Sequence, residues 1–237
     1  MASHIVENLK DVRERIAQAS RLQGGQSPVR LVAVSKTKPV EDLQAAYDAG
    51  QRDFGENYVQ ELLDKSPKLP GDIQWHFIGH LQSNKAKALV EGVPGLAMVE
   101  TVDSERLANK LSGVAEAQGR PVLPVMVQVN TSGEASKSGV EPGEACVALA
   151  RHISESCPGL RLAGLMTIGM PDYTSRPENF ACLVACRKAV AEELGVEEHS
   201  LELSMGMSAD FEQAIAAGAT NVRVGSTIFG ARNYAAR

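Results

Sequence analysis

Residues 31–65 read LVAVSKTKPVEDLQAAYDAGQRDFGENYVQELLDK, and this stretch decides the fold. Leu31 to Ser35 is a short run of apolar, β-branched and small residues that ends at Lys36, and Pro39 turns the chain. A helix-like stretch rich in Ala, Leu and acidic residues starts near Val40. A second, short strand is read at Asp53 to Gly55, and a second helical stretch starts near Glu56. Strands that are apolar throughout, each followed by a helix, imply parallel strands buried on both faces and joined by right-handed crossovers.

The same unit recurs downstream. Further strands are expected near Ile73 to Ile78, Ala97 to Thr101, Leu123 to Asn130, Leu162 to Ile168, Leu201 to Ser204 and Asn221 to Val224. Helices are expected to start near Ser83, Ser104, Glu141, Glu178 and Ala209, with a short one after Ser226. Ahead of the repeats, Ile5, Leu9, Val12 and Ile16 are spaced by four, three and four, which makes one amphipathic helix ending near the polar stretch Gly24 to Pro28. Eight strands and about eight helices fit an α/β chain folded as a single (β/α)8 TIM barrel with an extra N-terminal helix; such barrels take about 250 residues. A doubly wound open sheet is the alternative topology for the same pattern. No low-complexity tract or linker interrupts the chain, so one domain is expected, with 1–28 as helix and loop and 29–232 as barrel.

Composition narrows the function classes. The 237 residues are 43% hydrophobic and 22% charged, as in an ordinary globular protein. A formal charge of -5 provides no positive field for general nucleic-acid binding. Charges, Gly or Pro interrupt every apolar run well short of the roughly 18 residues a membrane helix needs. Glu7, Asp11 and Glu14 near the N-terminus fit neither a signal nor a transit peptide, so the expected location is cytoplasmic. Cys146, Cys157, Cys182 and Cys186 form no C-x-x-C pair, and Cys182 and Cys186 share one helix face as small core residues. His76 and His80 have the spacing of helical zinc ligands, but His76 lies in a strand-like run and Gly79 intervenes, so no metal site is expected.

In a barrel, functional groups gather at the C-terminal ends of the strands, and phosphate commonly binds after strands seven and eight. This rule selects Lys36, Asn57, His80, Ser83, Asn130, Met166, Thr167, Ser204, Arg223, Gly225 and Ser226. A lysine at a strand end is either half of an ordinary ion pair or, when desolvated, a neutral amine able to attack an aldehyde or ketone. The runs SMGMS, 204–208, and GSTIFG, 225–230, are Gly-containing entries to helices whose N–H and hydroxyl groups could surround an anion. Each could equally be a plain cap. Lysine and anion sites together suggest a phosphorylated aldehyde: pyridoxal 5'-phosphate first, a sugar phosphate on a class I aldolase second.

The motifs VSKTKP, FGENYVQE, WHFIGHLQSNK, VNTSGEASKSG, GLMTIGM, SMGMSADFEQAI and VRVGSTIFG run in order from about Leu31 to Arg232. In this the sequence resembles the pyridoxal-phosphate homeostasis family, also called YggS or PROSC. The resemblance implies a fold type III barrel, similar to the N-terminal domain of alanine racemase, with pyridoxal 5'-phosphate carried on Lys36 as an internal aldimine. It also implies phosphate contacts from Ser204, Gly225 and Ser226, Arg223 facing the pyridine nitrogen, and Asn57 beside the cofactor. Lys137 is expected to approach the phosphate from above. An arginine donates and does not accept, so it disfavours a protonated ring nitrogen and weakens the ring as an electron sink.

The expected function is therefore a non-catalytic binder that buffers or delivers pyridoxal phosphate in the cell, with apoenzymes that use the cofactor as recipients. The family is described as monomeric, and a monomer is expected. A racemase-like enzyme is the alternative. Racemisation needs acid–base groups on both faces of the substrate carbon. In alanine racemase the opposing tyrosine comes from a separate domain, and no such domain is expected here after the eighth strand. Tyr47, Tyr173 and Tyr234 do not occur in the matching context, and Tyr58, next to Asn57, is the one to test.

Overall fold

The computed structural model describes residues 2–24, 28–134, 138–168 and 177–231. Eight parallel strands close into a barrel in simple sequence order. They are β1 (Arg30–Val34), β2 (Asp53–Glu56), β3 (Gln74–Phe77), β4 (Leu96–Val102), β5 (Leu123–Gln128), β6 (Leu160–Met166), β7 (Glu202–Ser204) and β8 (Asn221–Val224). All eight expected strands are present, and closure of β8 onto β1, with Arg223 in register with Val32, removes the open-sheet alternative.

The leading helix α1 (Ala2–Leu22) buries Ile5, Leu9, Val12 and Ile16, as its spacing predicts. It joins the first and last units of the barrel: Arg13 Nη1 donates to Ala49 O at 2.9 Å and Asn8 Nδ2 to Ile228 O at 3.0 Å. Around the barrel run α2 (Val40–Asp48), α3 (Val59–Lys65), α4 (Ala86–Gly92), α5 (Glu105–Ala117), α6 (Glu144–Ser156), α7 (Pro177–Leu194), α8 (Phe211–Ala216) and the short α9 (Ser226–Phe229). The helix starts expected near Glu56 and Glu141 are displaced by three residues for local reasons. Glu56 continues β2 and is fully buried, so α3 begins only at Val59. Gly143, at φ 86°, breaks the helical path, so α6 begins at Glu144.

Alternation along each strand sorts the core into two parts. Outward residues such as Phe54, Trp75, Phe77, Val222 and Val224 join the main cluster between sheet and helices. Inside the barrel, Met98, Met126, Ala163 and Met166 form a smaller apolar cluster. The rest of the interior holds charge. His76, Glu100, Ser204, Asn221 and Arg223 are all buried and bonded across β3, β4, β7 and β8.

Candidate functional site

Lys36 is half-buried in the turn that follows β1. Its neighbours are fixed: Ser35 N donates to Gly55 O at 3.0 Å, and Lys38 N to Ser35 O at 3.1 Å. Thr37 has φ 64°, the one positive value at a non-glycine among the described residues. A β-branched residue avoids this region, and holding one there costs about 1–3 kcal/mol, which neighbouring contacts must offset. The turn after β8 lies against this one. A Cβ at Gly225 would sit 3.2 Å from both the Cβ and the carbonyl oxygen of Val34, so glycine lets the end of β8 approach within two residues of Lys36.

Arg223 is buried below this junction, with Nη1 donating to Ser204 Oγ at 2.6 Å and Nη2 to Thr167 O at 2.7 Å. Ser204 in turn donates to Glu100 Oε2 at 2.5 Å. Glu100 Oε1 accepts from Asn221 Nδ2 at 3.1 Å and lies 2.7 Å from His76 Nδ1. The other ring nitrogen of His76 is 3.1 Å from Asp53 Oδ1, and Asp53 pairs with Arg30, which also pairs with Glu202. A column of alternating charge thus runs from Arg223 to the opposite end of the barrel.

Burial alone would neutralise these groups, and pairing reverses that. For His76 burial pulls the pKa down, but hydrogen bonds and charge from Asp53 and Glu100 outweigh it and raise it to about 9. For Glu100 burial pushes up, while His76, Arg223 and Ser204 together hold it down at about 2. The histidine is therefore an imidazolium at neutral pH, donating from both nitrogens.

The SMGMS and GSTIFG runs, separate in sequence, meet in space. Ser208 Oγ accepts from Gly225 N at 3.1 Å and from Thr227 N at 3.4 Å, marking an acceptor position at the start of α9. Ser226 opens α9 and is exposed. Ser204 sits deeper than a mouth position, fully buried with its proton given to Glu100, so Ser208 is the hydroxyl of its run that reaches Gly225. Asn57 follows β2; its Oδ1 is buried without a hydrogen-bond partner among the described residues. A Cβ at Gly79 would lie 2.1 Å from Asn57 O, so the end of β3 presses directly on this residue. His80 is exposed at the end of β3, its Nδ1 3.0 Å from Ser138 Oγ and 3.5 Å from Asp103 Oδ2. Lys137, Tyr173 and Tyr234 lie outside the described residues, and Tyr58 is exposed next to Asn57.

A second buried ionic group underlies Lys36 and was not expected from the sequence. Glu56 Oε1 accepts from Ser35 Oγ at 2.7 Å and from Lys65 Nζ at 2.8 Å. Burial pushes the Glu56 carboxyl up to about 7 against the opposing pull of Lys65. Signals for the first buried group were present as single charges inside apolar strands, Glu100 in LAMVETV and Arg223 in NVRV. Lys65 carried no such signal, since it ends an ordinary amphipathic helix.

With this geometry in view, comparisons with known proteins agree with one another. The family described as "Alanine racemase, N-terminal domain" matches residues 7–233. The Pyridoxal phosphate homeostasis protein of Bos taurus is 50% identical over 238 residues, which cover 95% of this chain and 86% of the relative. Among solved structures, an unknown protein from Bifidobacterium adolescentis superposes with a TM-score of 0.84 at 38% identity, over 96% of this chain and 95% of that one. PipY of Synechococcus elongatus, solved with PLP bound, gives a TM-score of 0.74 at 34% identity, over 95% of this chain and 100% of that one.

Proposed function

The chain belongs to the alanine racemase N-terminal domain family and, within it, to the pyridoxal phosphate homeostasis proteins, and from this premise we propose that it holds pyridoxal 5'-phosphate at the mouth formed by β1 and β8. The contact of Gly225 with Val34 carries this reading, because it sets an amine and an anion cradle side by side on neighbouring strands. The donor set suits the group. It offers a primary amine at Lys36, a buried guanidinium at Arg223, N–H donors at Gly225 and Thr227, and at Asn57 a buried acceptor with no partner among the described residues.

Pyridoxal phosphate supplies, when bound, an aldehyde that condenses reversibly with a primary amine. Lys36 Nζ is the attachment point. Gly225, Ser226 and Ser208 receive the phosphate end, where N–H groups of α9 and a hydroxyl converge. Arg223 donates toward the ring nitrogen and cannot accept from it, which holds that nitrogen unprotonated and damps carbanion chemistry. Ser204 acts through Arg223, whose Nη1 it accepts, and Asn57 supports the ring's surroundings.

The role is storage and delivery rather than turnover, with cofactor-requiring apoenzymes as recipients, in a cytoplasmic monomer whose residues 29–232 act as one domain. No helix among the described residues is long and apolar enough to cross a membrane. Racemisation needs a second acid–base group opposite Lys36. Tyr58, beside Asn57, is exposed, and the racemisation assay below decides whether it plays that part. The test is a titration of the purified chain with pyridoxal phosphate, followed by visible absorbance, for wild type and Lys36→Ala, alongside an alanine racemisation assay. We expect a saturable band in wild type, its loss in the variant, and no racemisation above background. A wild-type protein that racemises alanine with many turnovers would overturn the delivery role.

A further inference from the structure

The peptide groups on either side of Lys36 Cα are both held by one buried ionic cluster. On the N-terminal side, Ser35 O accepts from Lys65 Nζ at 2.8 Å. On the C-terminal side, Thr37 N donates to Glu61 Oε1 at 2.5 Å. Lys65 and Glu61 are themselves joined at 2.6 Å, so the two grips close into a ring around the lysine's backbone. Glu56 anchors the ring from below: its Oε1 accepts from Lys65 Nζ at 2.8 Å and from Ser35 Oγ at 2.7 Å. With both adjoining peptide planes fixed, the φ and ψ of Lys36 are fixed, and so is the direction of its Cα–Cβ bond. The same contacts hold Thr37 at φ 64°.

The arrangement is costly for a fold to keep without a use. The side chains of Lys65 and Glu56 are 8% and 0% exposed, and buried ion pairs are often no better for stability than well-packed apolar residues. Glu56 also leaves Oε2 buried with no hydrogen-bond partner among the described residues.

We propose that Lys65, Glu61 and Glu56 form a positioning clamp that aims Lys36 Nζ at the incoming aldehyde carbon. The clamp touches neither ring nor phosphate; it acts through the backbone of residues 35–37. It rests on Lys36 being the attachment point. Fixing an attacking group within reach of its target accelerates bond formation far more than it strengthens binding, so loss of the clamp should slow linkage more than it weakens phosphate affinity.

Glu61 is the residue to change first, because it is half-buried on α3 and its replacement leaves the Lys65–Glu56 pair in place. Glu61→Ala removes the acceptor for Thr37 N, Glu61→Gln keeps an oxygen there, and Lys65→Met removes the grip on Ser35 O. Linkage is followed by stopped-flow absorbance with pyridoxal phosphate. In separate samples without cofactor, trinitrobenzenesulfonate labelling of Lys36 is read by peptide mass against Lys38. Glu61→Ala is expected to slow linkage tenfold or more while Lys36 labels at least threefold faster. Glu61→Gln should stay within threefold of wild type in both. Movement in opposite directions marks an aiming role, since simple loss of fold would lower linkage and expose Lys38 as well. Folded Glu61→Ala protein with both rates within twofold of wild type would overturn the clamp. If Lys65→Met does not fold, the two Glu61 variants still decide. If wild type forms no linkage, the cofactor reading falls and the aiming role falls with it, whereas normal wild-type linkage with unchanged Glu61→Ala rates overturns the clamp alone.

Discussion

Replacing Glu100 with Gln tests the charge column inside the barrel. The exchange keeps the side chain's shape and one acceptor oxygen but removes the negative charge between His76 and Arg223. The His76 value of about 9 exceeds the ordinary 6.5, so its contribution to stability is complete below pH 6.5 and is lost as pH rises through 9. At about 1.4 kcal/mol per factor of ten, that difference is worth about 3 kcal/mol. The lowering of Glu100 from 4.5 to about 2 describes the same coupling from the other side and is not added. Removing one partner of a buried pair costs about 3–5 kcal/mol, in agreement. Urea unfolding at pH 6, 7.5 and 9.5 should show wild type losing about 3 kcal/mol through His76 across that range, in addition to about 1 kcal/mol through Glu56, whose value of about 7 lies inside it. Glu100→Gln should start about 3 kcal/mol lower at pH 6 and, with Asp53 still facing His76, lose only about half as much through His76. A loss below about 1 kcal/mol with an unchanged pH profile would refute an ionised Glu100–His76 pair.

Three further outcomes follow from the packing. Glu56, raised to about 7 by burial, should cost wild type about 3 kcal/mol as pH rises from 4.5 through 7, and Glu56→Gln should flatten that window in the same unfolding assay. Gly79→Ala places a methyl group 2.1 Å from Asn57 O, a contact that must move backbone; chemical denaturation should show a loss of at least ~3 kcal/mol. Gly225→Val forces a branched side chain against Val34 and should weaken pyridoxal phosphate binding by about tenfold or more in an absorbance titration, equivalent to about 1.4 kcal/mol.

Most of the fold was legible because parallel barrel strands carry a strong local signal. Runs such as LVAV and the outward pair Trp75 and Phe77 are apolar on faces that the helices must cover. The mouth residues were legible for the same reason, since strand ends are fixed once strands are known. What sequence could not give is how the buried charges pair. Glu56 looks like the first acidic residue of a helix, whereas in the structure it pairs with Phe77 as the last residue of β2 and is buried against Lys65 of α3. His76 stood out only by its spacing to His80. The structure places the two apart in role, His76 bonded to Glu100 within the barrel and His80 to Ser138 at its rim. Ser204 was legible as a strand end, but its orientation into the interior depends on Arg223 and Glu100 from two other strands.

The central claim is that Lys36 is the amine to which the cofactor attaches. Borohydride reduction of the pyridoxal phosphate-loaded chain, followed by intact mass and peptide mapping, tests it directly. One added cofactor per chain, located on Lys36 and absent from Lys36→Ala, is the predicted result. A modified residue other than Lys36, or no stoichiometric modification at all, would contradict it.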